Sequence, residues 1–303
     1  MKRIGLGVLV LMIYGSSMGQ QLRPDQVVLR QRVVMQDDFN EDEEEETRSG
    51  IIFGLNFGAY FANKASANFY NGDCLYTLGD NVAVCNDIET RLNLGTTAQQ
   101  VQNDLGIQSF TIPADASPGA MRYNPSLLIG FRFGYRINDA NAFICDVNYV
   151  NLKAADKFSL TTNLTPDNGQ GTTDIRLFNI IGEEDRLNLS LGYRTAAMIN
   201  DNTNWFFGAG GSMVSTRLNT NYLEIEGKTY DLWVNFIGPN NFNGPNGNLT
   251  ATGFGWYGET GVEAFFEERF EADLGIRFSR DKIVMGSYED KLLNWHIFFT
   301  VSI

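Results

Sequence analysis

Few side chains in this chain have chemistry to offer. His296 is the sole histidine, and it shares one parity of an alternating segment with Thr300 and Ser302. A histidine beside hydroxyls is the raw material of a nucleophilic hydrolase, but only where an acid and a reachable substrate complete it. Four arginines (Arg132, Arg136, Arg194, Arg277) and five acids (Asp146, Glu259, Glu263, Glu271, Asp273) occupy the polar parity of similar segments, and Cys74 and Cys85 lie close together in sequence. No HExxH, CxxC or GxSxG stretch is present, so metalloprotease, dithiol-redox and nucleophile-elbow chemistry lack their residues. No cofactor, no metal ligand set and no catalytic residue are expected. Gly238 to Asn248 offers carbonyls that could coordinate calcium but reads better as a solvated loop, and the Asn-X-Thr sequences at Asn163 and Asn248 occur by chance in an Asn-rich chain.

The elements that must carry these residues are β-strands. From Asp290 to Ile303, Leu293, Trp295, Ile297, Phe299, Val301 and Ile303 fall on one face and Asn294, His296, Thr300 and Ser302 on the other, with Phe298 the apolar exception. Side chains of a strand alternate between faces, and no following element could pack on this crowded aromatic face, so its simplest solvent is lipid. Seven earlier segments repeat the pattern: Ile51–Phe61, Leu127–Arg136, Phe143–Tyr149, Leu187–Ile199, Trp205–Ser215, Gly253–Phe266 and Phe270–Phe278.

Connections between the segments alternate in length. Asn138–Asn141, Asn200–Asn204 and Glu267–Arg269 make tight turns, whereas the other connections are longer, with Asp281–Glu289 the shortest of them. Short turns on one side, long loops on the other and an even number of alternating strands describe a transmembrane β-barrel. The expected fold is all-β, an eight-stranded antiparallel transmembrane barrel over residues 50–303 with long extracellular loops.

The front of the chain fits export. Lys2 and Arg3 precede an apolar run, Ile4 to Tyr14, followed by small residues to Gly19; this is a secretory signal peptide, residues 1–19, too short to span a bilayer. No Cys follows to take a lipid anchor. Residues 20–49 contain the acidic block Asp37–Glu46 and read as a disordered periplasmic tail. Its apolar pieces Val27–Leu29 and Val33–Met35 offer strands to a partner's sheet edge. The balance of Lys+Arg 23 against Asp+Glu 36, net −13, argues against a nucleic-acid partner.

In these alternating segments and turns the chain resembles the small eight-stranded outer-membrane barrels, the group of the OmpA-type membrane domain and OmpX-type barrels, and its tail and loops are similar in style to those of Bacteroidota. The resemblance implies a cell-outer-membrane location, with both termini periplasmic. It departs from the group in ending on Ile303, where such barrels usually finish on an aromatic residue, and in lacking the peptidoglycan-binding domain of OmpA-type proteins.

Eight strands enclose an interior that side chains can fill. Four bases and five acids facing into it should pair, because an isolated charge there is costly; a salt-bridged plug is expected instead of a channel. Cys74 and Cys85 share the first loop in a disulfide-permitting compartment, and their bridge would stabilise it by roughly 2 to 3 kcal/mol. Cys145, at lipid-facing parity, is left as an odd thiol. The apolar stretches Ile175–Ile181 and Tyr230–Ile237 suggest strands running beyond the membrane or a covered interface. The functional expectation is a non-enzymatic outer-membrane barrel, either displaying surface loops or serving as an accessory subunit in a membrane protein complex. The alternatives are a narrow channel and, behind it, a lipid-modifying enzyme using His296.

Overall fold

The computed structural model describes residues 49–79, 82–164, 172–200, 202–233, 250–266 and 270–303. The signal peptide, tail residues 20–48, the 238–248 loop and the side chain of Cys85 lie outside the described residues.

Eight strands of the sheet form a closed ring: β1 (Gly50–Phe61), β2 (Ser126–Asn138), β3 (Asn141–Leu164), β4 (Thr172–Asn200), β5 (Thr203–Ile225), β6 (Thr250–Phe266), β7 (Phe270–Met285) and β8 (Tyr288–Ser302). Each pairs antiparallel with the next, and β8 returns to β1. The closing register runs from Gly54↔Ser302 to Phe61↔Trp295. Beyond it Phe53 and Ile303 exchange backbone hydrogen bonds of 3.1 and 2.9 Å. Closure leaves no edge in the ring, which is the condition for strands to cross lipid. The β2–β3 turn is held by Asn138, whose Oδ1 accepts from Ala140 N at 3.1 Å and Asn141 Nδ2 at 2.9 Å.

Five strands, β3, β4, β5, β7 and β8, are longer than the alternation predicts. The sequence reading stops the third strand at Tyr149 and starts the fourth at Leu187, but β3 and β4 stay in register from Asn141↔Thr195 to Leu164↔Thr172. β5 likewise continues past Ser215 to Ile225. The stretch 281–289, expected as a loop, is β7 and β8 paired up to Met285↔Tyr288, with Gly286 supplying a left-handed φ of 55° in the turn.

The cause is an exchange of faces. On β3 the outward residues are Phe143, Cys145, Val147 and Tyr149, then Asn151, Lys153, Lys157 and Ser159; the inward ones are Asp146 and Asn148, then Leu152, Ala154, Phe158 and Leu160. β7 does the same: outward Leu274, Ile276 and Phe278 give way to Arg280 and Lys282, while inward Arg277, Ser279 and Asp281 give way to Ile283 and Met285. On β8 outward Ile297, Trp295 and Leu293 give way to Lys291 and Glu289. On β3, β7 and β8 the period of two holds throughout, and on β5 it slips once, at a bulge between Leu218 and Thr220; a reading that follows lipid-facing apolar residues ends where the polarity inverts.

Above that level the first loop folds over the strand extensions. It contains α1 (Lys64–Ala67), a hairpin of Asp73–Gly79 with Val82–Asp87, α2 (Ile88–Asn93) and α3 (Thr97–Leu105). Asn63 and Asp87 cap α1 and α2 through hydrogen bonds from Ala65 N and Glu89 N, both 3.0 Å, and α3 stops at Gly106 with φ 63°. Ser109–Thr111 and Arg122–Tyr123 add short strands to β3. Phe69, Tyr70, Leu92, Val101 and Leu105 of this loop pack on Phe158, Ile180, Leu223, Ile283 and Leu292 of the strands in one apolar core. The approach is close at Gly182, where a Cβ would stand 2.1 Å from the Tyr70 ring; only glycine admits the tyrosine there.

Candidate functional site

The ring delivers nine charged side chains from β2, β3, β4, β6 and β7 into two adjoining ion-paired groups, six residues around Asp146, Glu259 and Asp273 and three around Arg136. Arg132 donates from Nε to Asp146 Oδ1 at 2.7 Å and from Nη1 to Asp273 Oδ2 at 2.6 Å. Arg194 donates from Nη1 to the same Asp273 Oδ2 at 2.5 Å and from Nη2 to Glu259 Oε1 at 3.1 Å. Arg277 donates to Glu259 Oε2 at 2.5 Å, to Asp146 Oδ2, and to Ser190 Oγ at 2.9 Å. Arg136 bridges Glu263 Oε1, 2.5 Å, and Glu271 Oε2. All nine residues are buried or nearly so.

Neutral partners complete the arrangement. Asn56 donates to Asp146 Oδ1 at 3.2 Å and Asn148 Oδ1 at 3.1 Å, and accepts from Thr300 Oγ1 at 2.7 Å. Phe298, the apolar residue on a polar face, lies under two guanidinium groups, Arg132 at 5.3 Å and Arg277 at 5.5 Å from its ring centre. Arg194 sits 3.9 Å over Phe206 and Arg277 4.3 Å over Tyr257. Ring faces are weakly negative and suit cations that have lost water, so an inward aromatic here serves the charges.

His296 is buried among these groups, opposite Tyr60 on β1 and Arg277 on β7. Its ring stacks on Tyr60 at 5.9 Å, and its Nδ1 has no hydrogen-bond partner among the described residues. Among the described residues no carboxylate is hydrogen-bonded to it, and its ring is buried, so the described geometry does not assemble the parts of a nucleophilic site around it.

A second buried polar group, above the first, escaped the sequence reading. Glu184 accepts from Tyr70 at 2.7 Å, Tyr123 at 3.1 Å and Arg186 Nε at 2.6 Å, while Arg186 Nη2 donates to Ser66 Oγ at 3.0 Å. Burial first, and the Glu184 charge second, raise the Tyr70 and Tyr123 phenols well above their ordinary value. The signal was present: Glu184 and Arg186 continue the inward parity of Asn188, Ser190 and Arg194, N-terminal to the point where the predicted strand began. Asp281, also buried, is satisfied by hydroxyls of Ser212 and Ser279, both 2.5 Å.

The lumen is filled. Among the described residues, three cavities along it measure about 10, 0 and 20 Å³, and one water needs on the order of 10–15 Å³. Outside, an unbroken band of apolar side chains, among them Phe53, Phe57, Phe131, Phe133, Phe207, Phe254, Leu274 and Phe299, stands exposed around the ring. A closed ring with its large apolar residues outside and its charges inside is stable only in lipid. The protein is a small eight-stranded transmembrane β-barrel.

No protein-family model and no curated protein matches this chain. Solved structures do. Neisserial surface protein A aligns at 10% identity over 84% of this chain and 97% of that one, with a TM-score of 0.41. OprG of Pseudomonas aeruginosa aligns at 9% identity over 85% and 97%, TM-score 0.39. The N-terminal β-barrel domain of Pseudomonas aeruginosa OprF aligns at 10% identity over 84% and 98%, TM-score 0.33.

Proposed function

We propose that this protein is a sealed, non-enzymatic outer-membrane barrel whose working surface is the folded layer above the membrane, either displayed as such or docked as an accessory subunit against a larger membrane complex. The observation that carries this reading is the filled lumen: an ionic plug toward the tight turns and an apolar core toward the loops leave no solute path. The accessory form is favoured by Ile175 and Leu177, which stand exposed on the outer face of β4 above the inversion level, where water is the expected solvent. Purification in mild detergent tests it. A stoichiometric protein partner supports the subunit reading, and a monodisperse lone barrel supports display. Conductance steps in a planar bilayer would overturn both in favour of a channel.

In this reading the tight turns and both termini face the periplasm, the leader is removed, and the loop layer faces outward. A protease added to intact cells should cut the first loop and spare the tail. Within that loop we infer a Cys74–Cys85 disulfide. Cys74 lies on the strand paired with that of Cys85, and the fact that Cys74 is not free whereas Cys145 is favours the bridge. Intact-mass analysis after alkylation should find one reactive thiol; three would remove the bridge.

A further inference from the structure

We propose that Glu263, Glu271 and Asp273, at the tight-turn end of the lumen, bind a dehydrated monovalent hard cation of sodium's kind. Each residue offers one carboxylate oxygen, and the three oxygens lie within 4.8 Å of one another, so a single ion can touch all of them. Carboxylate oxygens are ligands for hard cations.

Two further observations point to a ligand. Asp273 is 1% exposed, and its Oδ2 takes both Arg132 and Arg194, yet its Oδ1 has no hydrogen-bond partner among the described residues. A buried carboxylate oxygen left in that state costs its full desolvation penalty, and a cation at the cluster removes the cost. The second is charge. Arg132, Arg194 and Arg277 face Asp146, Glu259 and Asp273 in one bonded group of balanced charge, while Arg136 faces both Glu263 and Glu271, which leaves one negative charge without a counter-ion. The other buried acids are provided for locally, Glu184 by Arg186 and Asp281 by two serines.

The deficit localises to this end of the network. Glu263 and Asp273 are direct cross-strand neighbours and Glu271 precedes Asp273 on the same face; like charges so placed repel, and Arg136 is the one cation bridging the two glutamates. One added positive charge balances the network, and a divalent ion would leave an excess. Entry is short, because Glu271 is 12% exposed and a small cavity lined by Arg136 and Glu263 adjoins it.

The test uses the full-length protein in micelles, with the thermal midpoint read at constant ionic strength as choline is replaced by Na⁺. A saturable rise is expected. Glu271→Gln should raise the midpoint in choline and abolish the Na⁺ response, whereas the surface change Glu289→Gln should leave that response intact. A midpoint indifferent to Na⁺, a response to Ca²⁺ alone, or a Glu271→Gln protein that still responds to Na⁺ would overturn the proposal. Should that variant fail to fold, ²³Na line broadening by the wild-type protein decides: broadening that K⁺ in excess or protonation reverses supports the site, and its absence refutes it.

Discussion

The same strands build two interiors of opposite chemistry. Toward the tight turns the inside of β3 carries Asp146 and Asn148 within a web of guanidinium and carboxylate groups, with the small apolar cluster of Ala142 and Ile144 below them; toward the loops it is Leu152, Ala154, Phe158 and Leu160 under a layer of helices. The outer face changes in the opposite sense at the same level, from Tyr149 to Asn151 on β3 and from Phe278 to Arg280 on β7. Solvent explains both. Where lipid bathes the outside, burying apolar groups inside gains nothing, and polar groups must find one another in the lumen. Where water bathes the outside, ordinary hydrophobic burial resumes and apolar groups turn inward. The polarity switch therefore marks the membrane boundary.

The sharpest way to break the contrast is to unpair the plug. Arg277→Ala leaves Asp146 with Arg132 and Glu259 with Arg194 as their remaining bridges, and the loss of a buried cation shared by two carboxylates should cost about 3–5 kcal/mol; urea unfolding in liposomes would read it. In the other interior Leu92→Ala opens a cavity and should cost about 3 kcal/mol. That loss should appear as faster proteolysis of the first loop while the barrel keeps its heat-modifiable gel mobility. Equal sensitivity of barrel and loop would show that the two interiors melt together.

The boundary itself can be probed with one chemical change at two heights. Leu191→Lys, on the lipid face of β4, should cost about 2 kcal/mol, while Lys157→Leu, on the outer face of β3 above the boundary, should stay within about 0.5 kcal/mol. Comparable costs would dissolve the distinction.

The smallest effect concerns α3. Asp104 accepts from Lys228 Nζ and from Tyr230 OH at 2.6 Å, and these two bonds, Lys228 first, hold its carboxyl below the ordinary value. A carboxyl depressed on folding stabilises above its unfolded pKa, and that contribution is lost as pH falls through the folded one. Hydrogen exchange in α3 should accelerate on acidification below the usual carboxylate range, and Asp104→Asn should remove that step.

Parity, carried by residues such as Phe131, Arg132 and Phe133, determined by itself which side chains of the membrane-level segments face inward and how many strands there are, but it read the tight turn between Met285 and Tyr288 as a loop. It placed all nine charged residues on the lumen side because period two is a property of the backbone and needs no knowledge of partners. Only the tertiary structure decided who pairs with whom, since register across the ring sets whether Arg277 meets Asp146 or Glu259 and whether Asp273 keeps an oxygen free. It also decided where β3, β4 and β5 end. Alternation says that two faces differ in polarity; which face meets lipid, water or a folded loop depends on height above the membrane, and that is fixed by closure of the ring.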